Sequence, residues 1–127
     1  MQNAEAPPVR SYRDLLAWRK SMELVTDIYR ITQRFPNSEM YGLTAQLRRA
    51  AVSVPSNIAE GQGRLSSGEF RQFLGHARGS LLEVETQVLI ARALGYLQPA
   101  RSDSLLSQTA EVGRIVNGLI LSLPFKR

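Results

Sequence analysis

Between residues 67 and 95 the chain carries apolar side chains at alternating three- and four-residue steps: Phe70, Leu74, Ala77, Leu81, Val84, Val88 and Ala91. That repeat is the buried seam of a helix packed among other helices, as in a bundle. No breaker interrupts it before Gly95, so the spacing predicts a helix over 67–95, about 43 Å long. Ser66 precedes it with Glu69 three residues later, the pattern of a capping box. Gly75 and Gly79 lie inside this helix, each costing up to about 1 kcal/mol relative to alanine. Their presence predicts close helix contact there. The G-x-x-x-G motif they form is not a membrane signal, because His76 and Arg78 lie within it.

The remaining segments are built to match. Residues 1–10, MQNAEAPPVR, are polar with Pro7-Pro8, and read as a flexible tail without the apolar core of a signal peptide. Ser11 and Asp14 form a capping box ahead of Leu15, Trp18, Met22, Val25 and Tyr29, which predicts a helix over 12–34 ended by Phe35-Pro36. A second helix, 42–62, presents Leu43, Leu47, Ala50 or Ala51, Val54 and Ile58, with Pro55 inside it. That proline removes a backbone donor and predicts a bend or a loosened turn. Small neighbours around it imply close approach of another backbone, and Gly61 and Gly63 end the helix. The fourth helix, 99–122, starts on Pro99 and steps through Leu105, Thr109, Val112, Val116 and Leu119.

Four such helices with short connections define an all-α, antiparallel up-down-up-down four-helix bundle, a single domain over 11–127. Leu106, Ile115, Ile120, Leu121 and Phe125 put apolar surface on further faces of the fourth helix. That surface predicts an exposed patch and hence a homo-oligomer.

Catalysis finds little to work with. There is no cysteine, which removes thiolate nucleophiles, thiolate metal sites and disulfides. A lone histidine, His76, supplies neither a di-iron site nor a zinc site, and no nucleophile motif accompanies it. Gly61-Gln62-Gly63 lacks the rest of a phosphate-loop or dinucleotide fingerprint. The expectation is a protein without metal or cofactor and without enzymatic activity. No segment is long and apolar enough to span a membrane, and the expected location is cytoplasmic.

The charge pattern is more informative. The formal net charge is +5. Residues 46–78 hold five arginines against Glu60 and Glu69, so +3 of that surplus is concentrated there. Arg71, Arg78 and Arg92 recur on a seven-residue spacing with Glu85 in the gap, and Arg64 extends the series. These residues share one helix stripe, successive members roughly 10.5 Å apart. Arg48 and Arg49 stand on the preceding helix. Such an array can bind phosphates through charge and bidentate geometry. The competing reading is a solvated face with internal pairs such as Glu60–Arg64 and Arg78–Glu85. Pro55, Asn57, Glu60 and Gly61 form a compact motif read chiefly as structural, with Asn57 and Glu60 satisfying backbone groups freed by Pro55 and the helix end.

The segments Trp18-Arg19-Lys20, GLTAQLRRAAVSVPSNIAEGQGR at 42–64, EFRQFLGHARGSLLEVETQ at 69–87 and LGYL at 94–97 together resemble the 23S rRNA intervening-sequence protein family, the four-helix bundle proteins. The most specific part is Ser56-Asn57-Ile58-Ala59-Glu60-Gly61 followed by Arg64, Ser66 and Glu69-Phe70. The resemblance covers nearly all of Tyr12 to Leu123. It implies a bundle that assembles as a ring, typically a pentamer, some members being encoded within 23S rRNA genes. A related bundle, the accessory variability determinant of diversity-generating retroelements, is a basic pentamer that works with a reverse transcriptase and nucleic acid. The expected function is a ring-forming bundle binding nucleic acid, RNA in preference to DNA, through Arg48, Arg49, Arg64, Arg71, Arg78 and Arg92. The alternative is an oligomeric protein-interaction scaffold that does not bind nucleic acid.

Overall fold

The structure, a computed structural model, describes residues 11–124, so the expected tail over 1–10 and Phe125 lie outside the described residues. Four helices follow in order: α1 (Leu16–Thr32), α2 (Leu43–Gln62), α3 (Ser67–Ala93) and α4 (Pro99–Ser122). Each packs on its neighbours in the chain, and α1 closes the circuit against α4, while the diagonal pairs do not approach each other among the described residues. The expected up-down-up-down bundle is the fold.

The first helix differs from the expected 12–34. Ser11 and Asp14 do form a capping box: Arg13 N–H donates to Ser11 Oγ at 3.2 Å and Ser11 N–H to Asp14 Oδ2 at 3.2 Å. They cap a single 3-10 turn, Tyr12–Asp14, rather than α1. Leu15 is extended (φ −78°, ψ 128°) and buried, so the chain breaks to plug that side chain into the core before α1 begins. α1 then stops at Thr32, whose hydroxyl donates to the Ile28 carbonyl at 2.7 Å.

α3 ends at Ala93 because Gly95 adopts φ +79°. There Tyr96 N–H donates to the Ala91 carbonyl at 2.9 Å and Gly95 N–H to that of Arg92 at 3.0 Å, a Schellman closure that needs the left-handed residue. At its other end Ser66 Oγ accepts from Glu69 N–H at 3.1 Å. The Glu69 carboxylate accepts from the Ser66 hydroxyl at 3.2 Å instead of from the Ser66 amide, so the expected box is only half formed.

Leu24, Ile28, Leu47, Val54, Ile58, Leu74, Val84, Val88, Leu105, Val112 and Val116 fill one continuous core. The most extensive contact is α2 against α3. The two helices come close at Gly61, where a Cβ would lie 2.7 Å from Phe73 Cβ and 3.0 Å from Phe70 Cδ1. Gly75 and Gly79, expected to serve that purpose, face open space: a Cβ at either position meets nothing within 4 Å.

The apolar surplus of α4 is largely absorbed. Leu106, Ile115, Leu119 and Ile120 pack against the core, and only Leu121 among the described members of that set is widely exposed, at 80%. Exposed apolar side chains gather instead on α3, at Leu82, Leu89, Ile90 and Leu94, and around α1, at Leu16, Met22 and Tyr29.

Candidate functional site

The arginines on the seven-residue spacing each bond to α4 or to the residues that follow it, although Arg78 and Arg92 remain exposed. Arg71 donates to the carbonyls of Leu123 and Pro124 at 2.8 and 3.0 Å, closing the C-terminal end of α4. Arg78 donates to Asn117 Oδ1 at 3.1 Å, and Arg92 pairs with Asp103 at 3.0 Å. As the donors advance along α3, their acceptors retreat along α4 by the same number of residues, which is the register of two antiparallel helices. The expected Arg78–Glu85 pair does not form. Glu85 occupies the empty rung, and the register places exposed Ala110 opposite it.

The other three candidates separate. Arg64 pairs with Glu60 at 2.7 Å, as expected, and lies over the Phe73 ring at 4.7 Å. Arg48 is held against α1: its Nε donates to Thr32 Oγ1 at 2.8 Å, and its guanidinium stacks 4.6 Å over the Tyr29 ring. Arg49 is exposed at a cleft between α2 and α3 lined by Gln46, Ser53, Glu83 and Gln87. The six arginines therefore do not make one surface in the protomer.

The Pro55–Gly61 motif is architectural, though not by the expected bonds. α2 continues through buried Pro55 as one helix. Asn57 Nδ2 donates to the Ser53 carbonyl at 2.8 Å and to Ser53 Oγ at 2.9 Å, and that hydroxyl shares a 2.8 Å bond with Ser80 Oγ on α3. Asn57 thus anchors a polar link across the main helix contact rather than serving Ala51, whose carbonyl Pro55 leaves without its usual donor. Glu60 turns outward to Arg64 instead of capping the helix end.

A basic site lies where no periodic cue marks the chain. Arg30 lies in the last turn of α1, and Arg34 stands in the turn just beyond its C-terminal end. Arg101 sits in the first turn of α4, and the α1–α4 contact brings all three to one cleft of about 420 Å³, completed by Ile31, Tyr96, Leu97 and Gln98. A smaller cleft of about 240 Å³ adjoins it, sharing Arg30, Ile31 and Arg101. Asp27 is the acid of that region. It is committed to Gln108 Nε2 at 2.7 Å, and Arg30 reaches it only at 3.5 Å. No hydrogen bond or ion pair engages the side chain of Arg34 or Arg101 among the described residues.

α4 begins with Gln98 and Pro99, without a side-chain cap or an acidic residue in its first turn, so the positive end of its dipole is uncompensated beside the cleft. Tyr96 lines the same cleft with its hydroxyl donating to Glu39 Oε2 at 2.9 Å. That hydrogen bond, then burial and the Glu39 charge, raise the phenol pKa above its ordinary 10.0. The other Glu39 oxygen accepts from Leu43 N–H at 3.1 Å, tying this connection to the start of α2. The sequence signal that finds the cleft is positional: arginines ending the first helix and opening the fourth must meet in an up-down-up-down bundle.

His76 is exposed, edge-on to Phe73 at 5.8 Å. Among the described residues, no three His, Asp or Glu side chains are grouped to hold a metal ion. No helix there is long and apolar enough to cross a membrane.

These features define an all-α bundle whose surface chemistry is dominated by arginine, with no catalytic constellation among the described residues. The chain belongs to the 23S rRNA-intervening sequence protein family, whose model matches residues 13–118. Among solved structures it is similar to a protein of unknown function from the S23 ribosomal protein family of Bacteroides thetaiotaomicron VPI-5482. That likeness has a TM-score of 0.79 at 19% identity, covering 84% of this chain and 96% of the other. No match was found among curated proteins.

Proposed function

We propose that this protein is a non-enzymatic, ring-forming helical bundle that binds nucleic acid, RNA in preference to DNA, through arginines left uncommitted by the fold. The observation that carries the reading is the cleft lined by Arg30, Arg34 and Arg101. Arg34 and Arg101 have no carboxylate partner among the described residues and stand beside an uncompensated helix N-terminus, an arrangement that favours phosphate. RNA is preferred because the matching family takes its name from 23S rRNA intervening sequences. Arg49, exposed on the opposite helix pair, is a separate basic position.

Ring assembly rests on the exposed apolar side chains. One group surrounds a groove of about 350 Å³ between α1 and α2, with Trp18, Met22, Val25, Val52 and Pro55 along it. Another lies on α3 at Leu82, Leu89, Ile90 and Leu94. Two unlike faces that pair head to tail generate a closed ring when the rotation closes, five subunits being the size the family resemblance favours. Native mass spectrometry showing only monomer at tens of micromolar would remove the ring.

RNA binding is tested by titrating a structured RNA at about 50 and 200 mM salt, where phosphate contacts weaken steeply. Arg34→Glu with Arg101→Glu should abolish the shift while leaving the helical spectrum unchanged. Full binding by that double variant would overturn the cleft as the contact. A stable oligomer that shifts neither RNA nor DNA at low salt would favour the scaffold reading instead.

A further inference from the structure

We infer that the Arg30–Arg34–Arg101 cleft takes a phosphate monoester, the terminal phosphate of an RNA chain, in preference to the bridging phosphates of its backbone. This deepens the nucleic-acid reading and rests on it. The first ground is charge. A bridging phosphodiester carries one negative charge, whereas a terminal phosphate carries about −1.5 to −2 near neutral pH and presents three acceptor oxygens. Three arginines line a single cleft; of the acids beside it, Asp27 accepts from Gln108 and pairs with Arg30 at 3.5 Å, and Glu39 accepts from Tyr96. Arg34 and Arg101, which pair with no acid among the described residues, together carry twice the charge of one bridging phosphate.

Position and shape agree with this. The cleft lies at one end of the bundle, where α1 finishes and α4 starts, rather than along a groove that a strand could follow. Its volume of about 420 Å³ admits a terminal nucleotide, and apolar Ile31 and Leu97 with the Tyr96 ring offer a surface for the last sugar and base. Tyr96 is fixed for that role by its bond to Glu39 and its contact with the Phe35 ring at 5.5 Å. The α4 dipole adds to the preference for the more highly charged group.

The test uses the full chain and one 12-nucleotide RNA sequence in three forms: 5′-phosphate, 3′-phosphate, and hydroxyl at both ends, each titrated by fluorescence anisotropy at one salt concentration. One phosphorylated form should bind about tenfold tighter than the hydroxyl form. Arg34→Gln with Arg101→Gln should erase that preference and weaken all three RNAs to one common, lower affinity, with an unchanged melting curve; Arg101→Lys should restore part of it. Adenosine monophosphate serves as competitor. Displacement only at concentrations far above the RNA dissociation constant supports the RNA end as ligand, while displacement near that constant overturns the RNA end in favour of a free mononucleotide. Equal affinity for all three RNAs overturns the terminal-phosphate inference and leaves RNA binding standing. Failure of every form to bind overturns both.

Discussion

Replacing Gly61 by alanine places a methyl group where α3 already is. The added carbon would lie 2.7 Å from Phe73 Cβ, 3.0 Å from Phe70 Cδ1 and 3.3 Å from the Phe70 carbonyl oxygen. Phe73 Cβ and the Phe70 carbonyl are fixed to the α3 backbone, so rotamer changes do not relieve the contact and the two helices must separate. Overpacking of this kind costs about 1–3 kcal/mol. Alanine's better helix propensity returns at most about 1 kcal/mol, and less at the penultimate residue of a helix. The net expectation is a loss of about 1–2 kcal/mol, or roughly 3–10 °C in melting temperature for a domain of this size. Gly75→Ala is the matched control. It sits inside α3 with open space around its Cβ position, so the same chemical change should stabilise by up to about 1 kcal/mol. Urea unfolding followed by far-ultraviolet circular dichroism measures both. A Gly61→Ala protein at least as stable as the Gly75→Ala protein would refute the close approach as the reason for glycine at 61.

Three further outcomes follow from the contacts described. Tyr96 is held protonated by Glu39, so the stability it contributes is full below its ordinary pKa of 10.0 and is lost as pH rises through the higher folded value. Tyr96→Phe should flatten that alkaline loss, and unfolding curves at pH 9 and pH 11 that differ equally in both proteins would refute the linkage. Arg71→Ala should release the carbonyls of Leu123 and Pro124 and raise hydrogen exchange in the last turn of α4 while leaving that of α2 unchanged. Ala110→Lys should complete the empty rung opposite Glu85. A double-mutant cycle with Glu85→Gln is expected to read about 0.2–1 kcal/mol of coupling, and zero coupling would show the register to be wrong.

The helices were legible because the apolar period, two serine caps and the glycine and proline breaks all agree along the chain. Boundaries failed where burial overrode local preference. Leu15 fits the helical period of α1, yet it leaves the helix to reach the core, a choice that depends on what packs beside it. The glycines show the same limit. Gly61, Gly75 and Gly79 are alike in sequence, and only the position of the neighbouring helix decides that the first is pressed against α3 while the others face open space. Asn57 was recognisable as structural, but its bond to Ser53, and through it to Ser80 on α3, depends on how α2 and α3 are aligned.

Arginine spacing carries the broader lesson for the candidate site. A strict seven-residue recurrence on a long helix follows the periodicity of helix–helix contact, since two turns return a side chain to nearly the same partner face. Polyanion binding imposes no such constraint, because phosphates along a flexible strand adapt to the cations they meet. Regular spacing therefore favours an intramolecular partner, and Arg71, Arg78 and Arg92 have one in α4. Arg30, Arg34 and Arg101 show the converse. They come from two helices, share no period, and meet only because the bundle closes α1 against α4. Internal pairing explains neither Arg34 nor Arg101. Cations that the fold gathers without engaging are the better place to look for a ligand, which moves the functional bet from the conspicuous stripe on α3 to the inconspicuous end of the bundle.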